Sequence, residues 1–449
     1  MNVCYYKSAM KILLKNGLAL IEQDGLFITK KEDIYIEGNR IKALGAHAGD
    51  FAADKIYDCD GKLVMPGLIN SHTHVYMTLF RNYADDMAFF DWLSSVQAVE
   101  DFMTGEDCYW GTLLGILEMI KSGTTCFVDM NIKSAKKGIK TGPEAACAGA
   151  AKEAGIRAVI TRGLSGIADS EESVIKFGEA ADEYETYRDD DLITVWMGPH
   201  APYSCMADYL KKLASFAKEH GIGQTIHLSE SLAEMENMAK DHGGMTPIEY
   251  VNSLGIFDVP TIAAHCVNAS GHDIEIMKEK NVSAAINPKS NMKLGNGFAP
   301  ARKFLEAGIN VCLGTDGCGS NNCLNMFAEM NTAALVYKGD EKSAQCISAQ
   351  DVLHFATVNG AKAIGKEGEL GIIKEGALAD VIVLDLNEPW FYPRNNIVSG
   401  LVYSSKGSEV ETVIINGEPV MEDRKILTIN EQEVYEACEK ITHRLGMNK

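Results

Sequence analysis

Short apolar runs recur through the middle of the chain, each closed by a polar or turn-forming residue. They alternate with longer stretches whose apolar positions fall three and four apart. Runs of the first kind read as buried strands and stretches of the second kind as amphipathic helices. The strand-like runs are 63–70, 124–130, 157–163, 192–199, 223–227, 261–267, 282–287 and 310–314, and the helical stretches between and after them are 109–121, 144–153, 172–187, 207–219, 231–241, 273–280 and 302–306. Regular alternation of this sort is what a parallel sheet with crossover helices requires. Eight such units predict a (β/α)8 TIM barrel, whose active site lies at the C-terminal ends of the strands. A doubly wound open sheet is the rival architecture, and it would keep the first and eighth strands apart.

The two ends of the chain have a different texture. Up to residue 64, short apolar runs are separated by turn signals such as Asn16-Gly17, Asp24-Gly25 and Gly38-Asn39, which predict antiparallel hairpins. Strand-like runs of the same kind return at 379–385 and 411–420. The expected organisation is a small β-sandwich domain built from 1–64 and 371–428, a barrel inserted over 65–370, and a C-terminal helix over 429–449.

Composition narrows the function classes. At 449 residues and 46% hydrophobic, the chain can bury the core of a barrel of about 250 residues and a second domain. A formal net charge of -20 argues against nucleic acid or an anionic membrane as a partner held by a basic surface. Twelve cysteines are scattered without a CxxC pair, which predicts a reduced, cytoplasmic chain. The first residues show no signal-peptide pattern, and no apolar segment approaches the roughly 18 to 20 residues of a membrane span.

Candidate chemistry sits where the strand-like runs end. The first run leads into His72 and His74, which as alternate residues of an extended strand project to one face and can offer two imidazoles to one ion. Later runs end in His200, His227, His265 and Asp316. A single buried histidine is more often a satisfied core residue than a ligand. Several polar residues, each closing a different strand-like run, point instead to one shared metal site, because a catalytic zinc takes about three or four protein ligands and keeps a position open.

The motifs that carry these residues are MPGLINSHTH at 65–74, TLFRNYADD at 78–86, YWGT at 109–112, KSGTT at 121–125, GPHAPY at 198–203, HLSE at 227–230, AHC at 264–266, NPKSN at 287–291 and GTDG at 314–317. In this order they resemble the amidohydrolase superfamily, and within it the 5'-methylthioadenosine/S-adenosylhomocysteine deaminases. The resemblance spans nearly the whole chain, and it implies one divalent metal ion, usually Zn2+, held by His72, His74, His227 and Asp316. It implies that His265 holds the attacking water, with Asp316, and that Glu230 shuttles protons. For the substrate it implies Glu100 on the ribose hydroxyls, His200 on the purine edge, Arg162 at the far side of the nucleoside and Ser320 facing the base.

Blander roles stand beside these. Glu230 is also placed to favour a helix N-terminus as a first-turn acid, Glu100 to be a solvated helix residue and Arg162 to form a surface ion pair. Where some relatives carry a second arginine for the homocysteine carboxylate, the segment 165–172 is acidic, which favours an uncharged 5' group. The implied activity is hydrolytic deamination of adenosine-type nucleosides in a homo-oligomeric enzyme. A guanine or 8-oxoguanine deaminase, or a triazine hydrolase, is the alternative on the same site, and a metal-binding barrel without activity is a third reading.

Overall fold

The computed structural model describes residues 9–45, 51–131 and 143–447. Cys4 lies outside the described residues, as do the outermost residues of the expected end segments. Eight parallel strands follow one another around a barrel: β1 (Leu68–Thr73), β2 (Thr124–Asn131), β3 (Arg157–Leu164), β4 (Ile193–Pro199), β5 (Gln224–Leu228), β6 (Thr261–His265), β7 (Ser283–Ile286) and β8 (Val311–Leu313). Each pairs with the next in chain order. The ring is closed at the seam by Asp316 N donating to His72 O at 3.0 Å and by Asn70, whose side chain bonds Thr315 Oγ1 at 2.7 Å and Thr315 N at 3.0 Å. An open doubly wound sheet is excluded by this contact between the first and last strands.

Side chains fill the barrel, as the alternation along the strands requires. Ile69, Val128, Val159, Trp196, Ile262 and Cys312 form a buried cluster that continues into Ala361 and Ile364, so the helix Val358–Ala363 and the turn after it plug the N-terminal end. The opposite end is left to polar residues. No helix among the described residues is long and apolar enough to cross a membrane.

The run 63–70 is not one strand. It breaks at Gly67: Lys62–Pro66 pairs antiparallel with Val381–Asp385, and the chain then enters the barrel as β1. A Cβ at Gly67 would lie 2.0 Å from Thr125 Oγ1, so only glycine lets the two backbones pass this closely. The strand before the break belongs to a seven-stranded sheet drawn from both ends of the chain, with Leu18–Gln23 and Leu26–Lys31 from one end and Val410–Ile415, Glu418–Glu422 and Lys425–Ile426 from the other. A four-stranded sheet packs against it, and Ile12, Leu14, Ile36, Val64, Val381 and Ile414 are buried between the two. The fold is therefore a (β/α)8 barrel carrying a small β-sandwich contributed by both ends of the chain.

One buried ion pair joins barrel and sandwich. Arg157, at the start of β3, donates from Nε and Nη2 to the two oxygens of Asp380 at 2.9 and 3.0 Å, and the two side chains are 7% and 1% exposed. Removing one partner of such a pair leaves the other charge buried without compensation, a loss of about 3–5 kcal/mol. Asp380→Ala is expected to lower the thermal midpoint markedly. An unchanged midpoint would show that water reaches Arg157 and that the pair is not a structural bolt.

Candidate active site

At the C-terminal ends of the strands the polar residues converge. His72 and His74 come from β1 and the residue after it, His227 from β5, His265 from the end of β6, and Asp316 follows β8. Asp316 Oδ1 lies 3.3 Å from His74 Nε2 and 3.7 Å from His72 Nε2, and one ring nitrogen from each of His72, His227 and His265 falls within 4.8 Å of the others. Four of the five are buried and His74 is nearly so.

The hydrogen bonds fix which nitrogens face inward. His74 Nδ1 donates to Met130 O at 2.5 Å and His227 Nδ1 to His200 O at 2.7 Å. Carbonyl oxygens only accept, so each Nδ1 carries a proton, and in a neutral ring Nε2 then presents a lone pair. The two Nε2 atoms lie 3.2 Å apart. His72 is fully buried, and neither of its nitrogens has a hydrogen-bond partner. Unpaired buried polar atoms each cost about 1–3 kcal/mol. Inward-facing lone pairs beside a carboxylate are the donor set a divalent cation needs, and backbone carbonyls orienting the far nitrogens are its usual support.

The charge states agree with that reading. Burial, and then the neighbouring imidazoles, hold His72 and His227 well below the ordinary histidine value, so both are neutral. Burial works to raise the Asp316 carboxyl, but the imidazoles around it and the Ser290 hydroxyl bring it below the usual carboxylate range. Ser290 Oγ and Ser320 Oγ donate to Asp316 Oδ2 at 2.6 and 2.7 Å, which turns Oδ1 toward the histidines. The backbone that carries these donors is itself bent: His265 has φ +71° and Asp316 φ +61°, and Ser229 before Glu230 has φ +52°. Non-glycine residues hold such conformations only where the surroundings over-determine them, which is typical of functional sites.

Glu230 lies beside this cluster. Its Oε1 accepts from Asn296 Nδ2 at 3.1 Å and is 3.7 Å from His265 Nδ1, which in turn bonds Asn291 Oδ1 at 2.8 Å. The helix Leu232–Asp241 begins after the N-cap Ser231, and its first-turn acid is Glu234, which also accepts from the backbone N–H groups of Ser229 and Glu230. The helix-terminus role considered for Glu230 is thus filled by Glu234.

A cleft opens above these groups. Met77, Phe89, Trp92, Leu93 and Val96 give it an apolar wall, and His74, His200, Tyr203, His227, Glu230, His265 and Asp316 give it a polar floor. Glu100, at the end of the helix Phe89–Glu100, reaches the same cleft and accepts a 2.5 Å hydrogen bond from Tyr76. His200 lines it too, with Nδ1 bonded to Ser204 Oγ at 2.7 Å. Arg162 and Ser320 are placed elsewhere. Arg162 is 1% exposed and its Nε lies 3.6 Å from Glu179 on the helix Glu171–Tyr187, between barrel and helix layer, and Ser320 stands behind Asp316.

The amidohydrolase family model matches residues 63–420, a span that contains every one of these residues. The chain belongs to the amidohydrolase family. Among the relatives of this amidohydrolase, the 5-methylthioadenosine/S-adenosylhomocysteine deaminase of Thermoanaerobacter pseudethanolicus is 43% identical over 96% of this chain and 98% of its own length. The 5'-deoxyadenosine deaminase of Methanocaldococcus jannaschii is 44% identical over 92% and 96%. A zinc-bound adenosine deaminase from Xanthomonas campestris, solved by crystallography, is 28% identical and superposes with a TM-score of 0.90 over 97% of this chain and 99% of that one. Family membership and the donor set together make His72, His74, His227, His265 and Asp316 the side chains able to hold a divalent metal.

Four residues of the site carry no role in the sequence reading. Ser290, Asn291 and Asn296 come from one segment after β7 and support Asp316, His265 and Glu230 respectively. The NPKSN motif flags the first two but gives no hint of what they touch. Tyr76 sits two residues beyond the HxH pair and has no motif signal at all.

Proposed function

We propose that this amidohydrolase is a zinc-dependent deaminase of adenosine-type nucleosides, converting 5'-methylthioadenosine, 5'-deoxyadenosine or adenosine to the inosine analogue and ammonia. The observation that carries the reading is the pairing of two buried acids in one cleft: Glu230 beside His265 at the polar floor, and Glu100 under Tyr76 near the apolar wall. The first acid suits proton transfer to the base, and the second suits hydroxyl groups of a sugar. The identities of the relatives support the same substrate class.

A zinc ion bound by His72, His74, His227 and Asp316 would supply a water acidified to near neutrality. The chain's own residues do the rest. His265 and Asp316 hold the attacking water against the ring carbon that bears the amino group. Glu230 gives its proton to the adjacent ring nitrogen, which ends the aromaticity of that ring and makes the carbon electrophilic. The carboxylate then takes one proton from the adding water and passes it to the exocyclic amine; the carbon–nitrogen bond breaks, ammonia leaves, and the remaining hydroxyl proton returns to Glu230 as the carbonyl forms. Asn291 holds His265, and Asn296 holds Glu230, so neither group must reorganise during the reaction.

The 5' position selects among nucleosides. No lysine or arginine lines the cleft among the described residues, and Lys176 is engaged with Glu172. Among the described residues, the zwitterionic tail of S-adenosylhomocysteine therefore meets no cationic side chain in the cleft. An ammonia-release assay on zinc-loaded protein tests the reading, with 5'-methylthioadenosine, 5'-deoxyadenosine and adenosine expected as good substrates and S-adenosylhomocysteine as the poorest. Turnover of guanine or 8-oxoguanine alone would replace it with the free-base alternative.

Glu100→Ala sharpens the same distinction. Loss of charged hydrogen bonds to a sugar costs about 1.5–3 kcal/mol, so kcat/KM on nucleosides is expected to fall about tenfold to a hundredfold. Indifference to the substitution would mean that no ribose is bound there. We further read the chain as a cytoplasmic homo-oligomer: every described cysteine is a free thiol, which supports a reducing compartment, and the oligomer rests on analogy that light scattering would check.

A further inference from the structure

Glu100 meets the cleft with a phenol on it. Tyr76 belongs to the short 3-10 turn Val75–Phe80 that follows β1, is 2% exposed, and lines the cleft together with Glu100. Its Oη lies 2.5 Å from Glu100 Oε1. A phenol keeps its proton at neutral pH. A carboxylate can only accept, and the hydrogen bond therefore runs from Tyr76 to Glu100. With that single proton committed, Oη retains lone pairs and becomes an acceptor toward the cleft.

The pair thus shows acceptor oxygens from two residues, side by side at hydrogen-bonding distance. A vicinal diol is the complementary group, because its two neighbouring hydroxyls are donors at similar spacing. We propose that Tyr76 and Glu100 read the 2' and 3' hydroxyls of the sugar jointly, one hydroxyl donating to the carboxylate and the other to Tyr76 Oη, which makes Tyr76 a specificity-determining residue. The proposal rests on the nucleoside reading above. It also gives a role to a tyrosine that lines a cleft whose proton transfers do not involve it. A site built to satisfy a hydroxyl rejects the analogue that lacks it far more strongly than an apolar pocket rejects an extra group.

The test compares wild type and Tyr76→Phe on adenosine, 2'-deoxyadenosine and 3'-deoxyadenosine, with zinc content and thermal midpoint recorded for both proteins. Phenylalanine keeps the ring and removes only the oxygen. On adenosine, kcat/KM is expected to fall about tenfold or more through KM, with kcat held within about twofold. On the one deoxynucleoside that lacks the hydroxyl received by Tyr76, the loss is expected to be small, so the preference for adenosine over that analogue collapses while the preference over the other persists. Each ratio is taken on a single preparation, so a misfolded or metal-poor fraction scales both rates and cancels. Equal losses on all three substrates, or no loss on any, would overturn the proposal and leave Tyr76 as a prop for Glu100 or as filler. If wild type turns over none of the nucleosides, the functional reading itself fails and takes this inference with it; if wild type turns them over and the ratios do not move, only this inference fails.

Discussion

Glu230→Gln is expected to lower kcat by about a thousandfold while the protein keeps its metal and its thermal midpoint. The argument depends on what the substitution leaves in place. Glutamine has nearly the shape of glutamate, and its carbonyl oxygen can still accept from Asn296 Nδ2, the contact Glu230 Oε1 makes at 3.1 Å. The backbone around it is held by Glu234, not by the Glu230 side chain. What disappears is a group that can give a proton to the ring nitrogen and take one back. Replacement of a positioned acid–base group removes a factor of about 10² to 10⁴, and this one group serves both the protonation of the ring and the departure of ammonia. Retention of a tenth or more of the wild-type kcat would assign proton transfer elsewhere. Loss of metal from the variant would instead make Glu230 part of the ion's environment.

The barrel and the metal cluster are legible in the sequence for the same reason. Strands announce themselves by apolar runs, and a polar residue closing such a run can only sit at the mouth of the barrel. His72, His74, His227, His265 and Asp316 are found that way without any tertiary information. Gly67 is not, because the apolar pattern runs through it unbroken and the reason for the break is Thr125, a residue on another strand. Arg162 shows a related limit. It sits near the mouth of β3, but which side of the barrel wall its side chain takes depends on strand parity and on Glu179, which lies on the following helix. Ser320 is close in sequence to Asp316, and the hydrogen bond it makes to that carboxylate is visible only once the helix Cys318–Asn321 is formed. Tyr76 comes from a short 3-10 turn and Asn296 from an irregular segment, neither long enough for a period to show in the sequence, so only the folded chain reveals what they meet.

Stripping the metal with a chelator is expected to abolish activity and to lower the thermal midpoint, and zinc is expected to restore both. His74 Nε2 and His227 Nε2 lie 3.2 Å apart with both Nδ1 protons committed to carbonyl oxygens, and His72 is fully buried without a hydrogen-bond partner. Binding relieves both, and an ion present at a thousand times its dissociation constant stabilises the folded state by about 4 kcal/mol. His72→Ala is expected to lose activity to the same extent as chelation and to lose the zinc-induced rise in midpoint. The pH dependence has a definite sign. In the folded protein burial holds His72 and His227 well below their ordinary value of 6.5, so the unfolded chain binds more protons once the pH falls below about 6.5. Their contribution is intact above that pH and is lost as the pH drops toward the folded values, and zinc affinity falls with it because the ion competes with protons for the same nitrogens. A thermal midpoint indifferent to zinc at pH 7.5, in protein shown by elemental analysis to be free of metal at the start, would mean that His72, His74, His227 and Asp316 do not form the ion site.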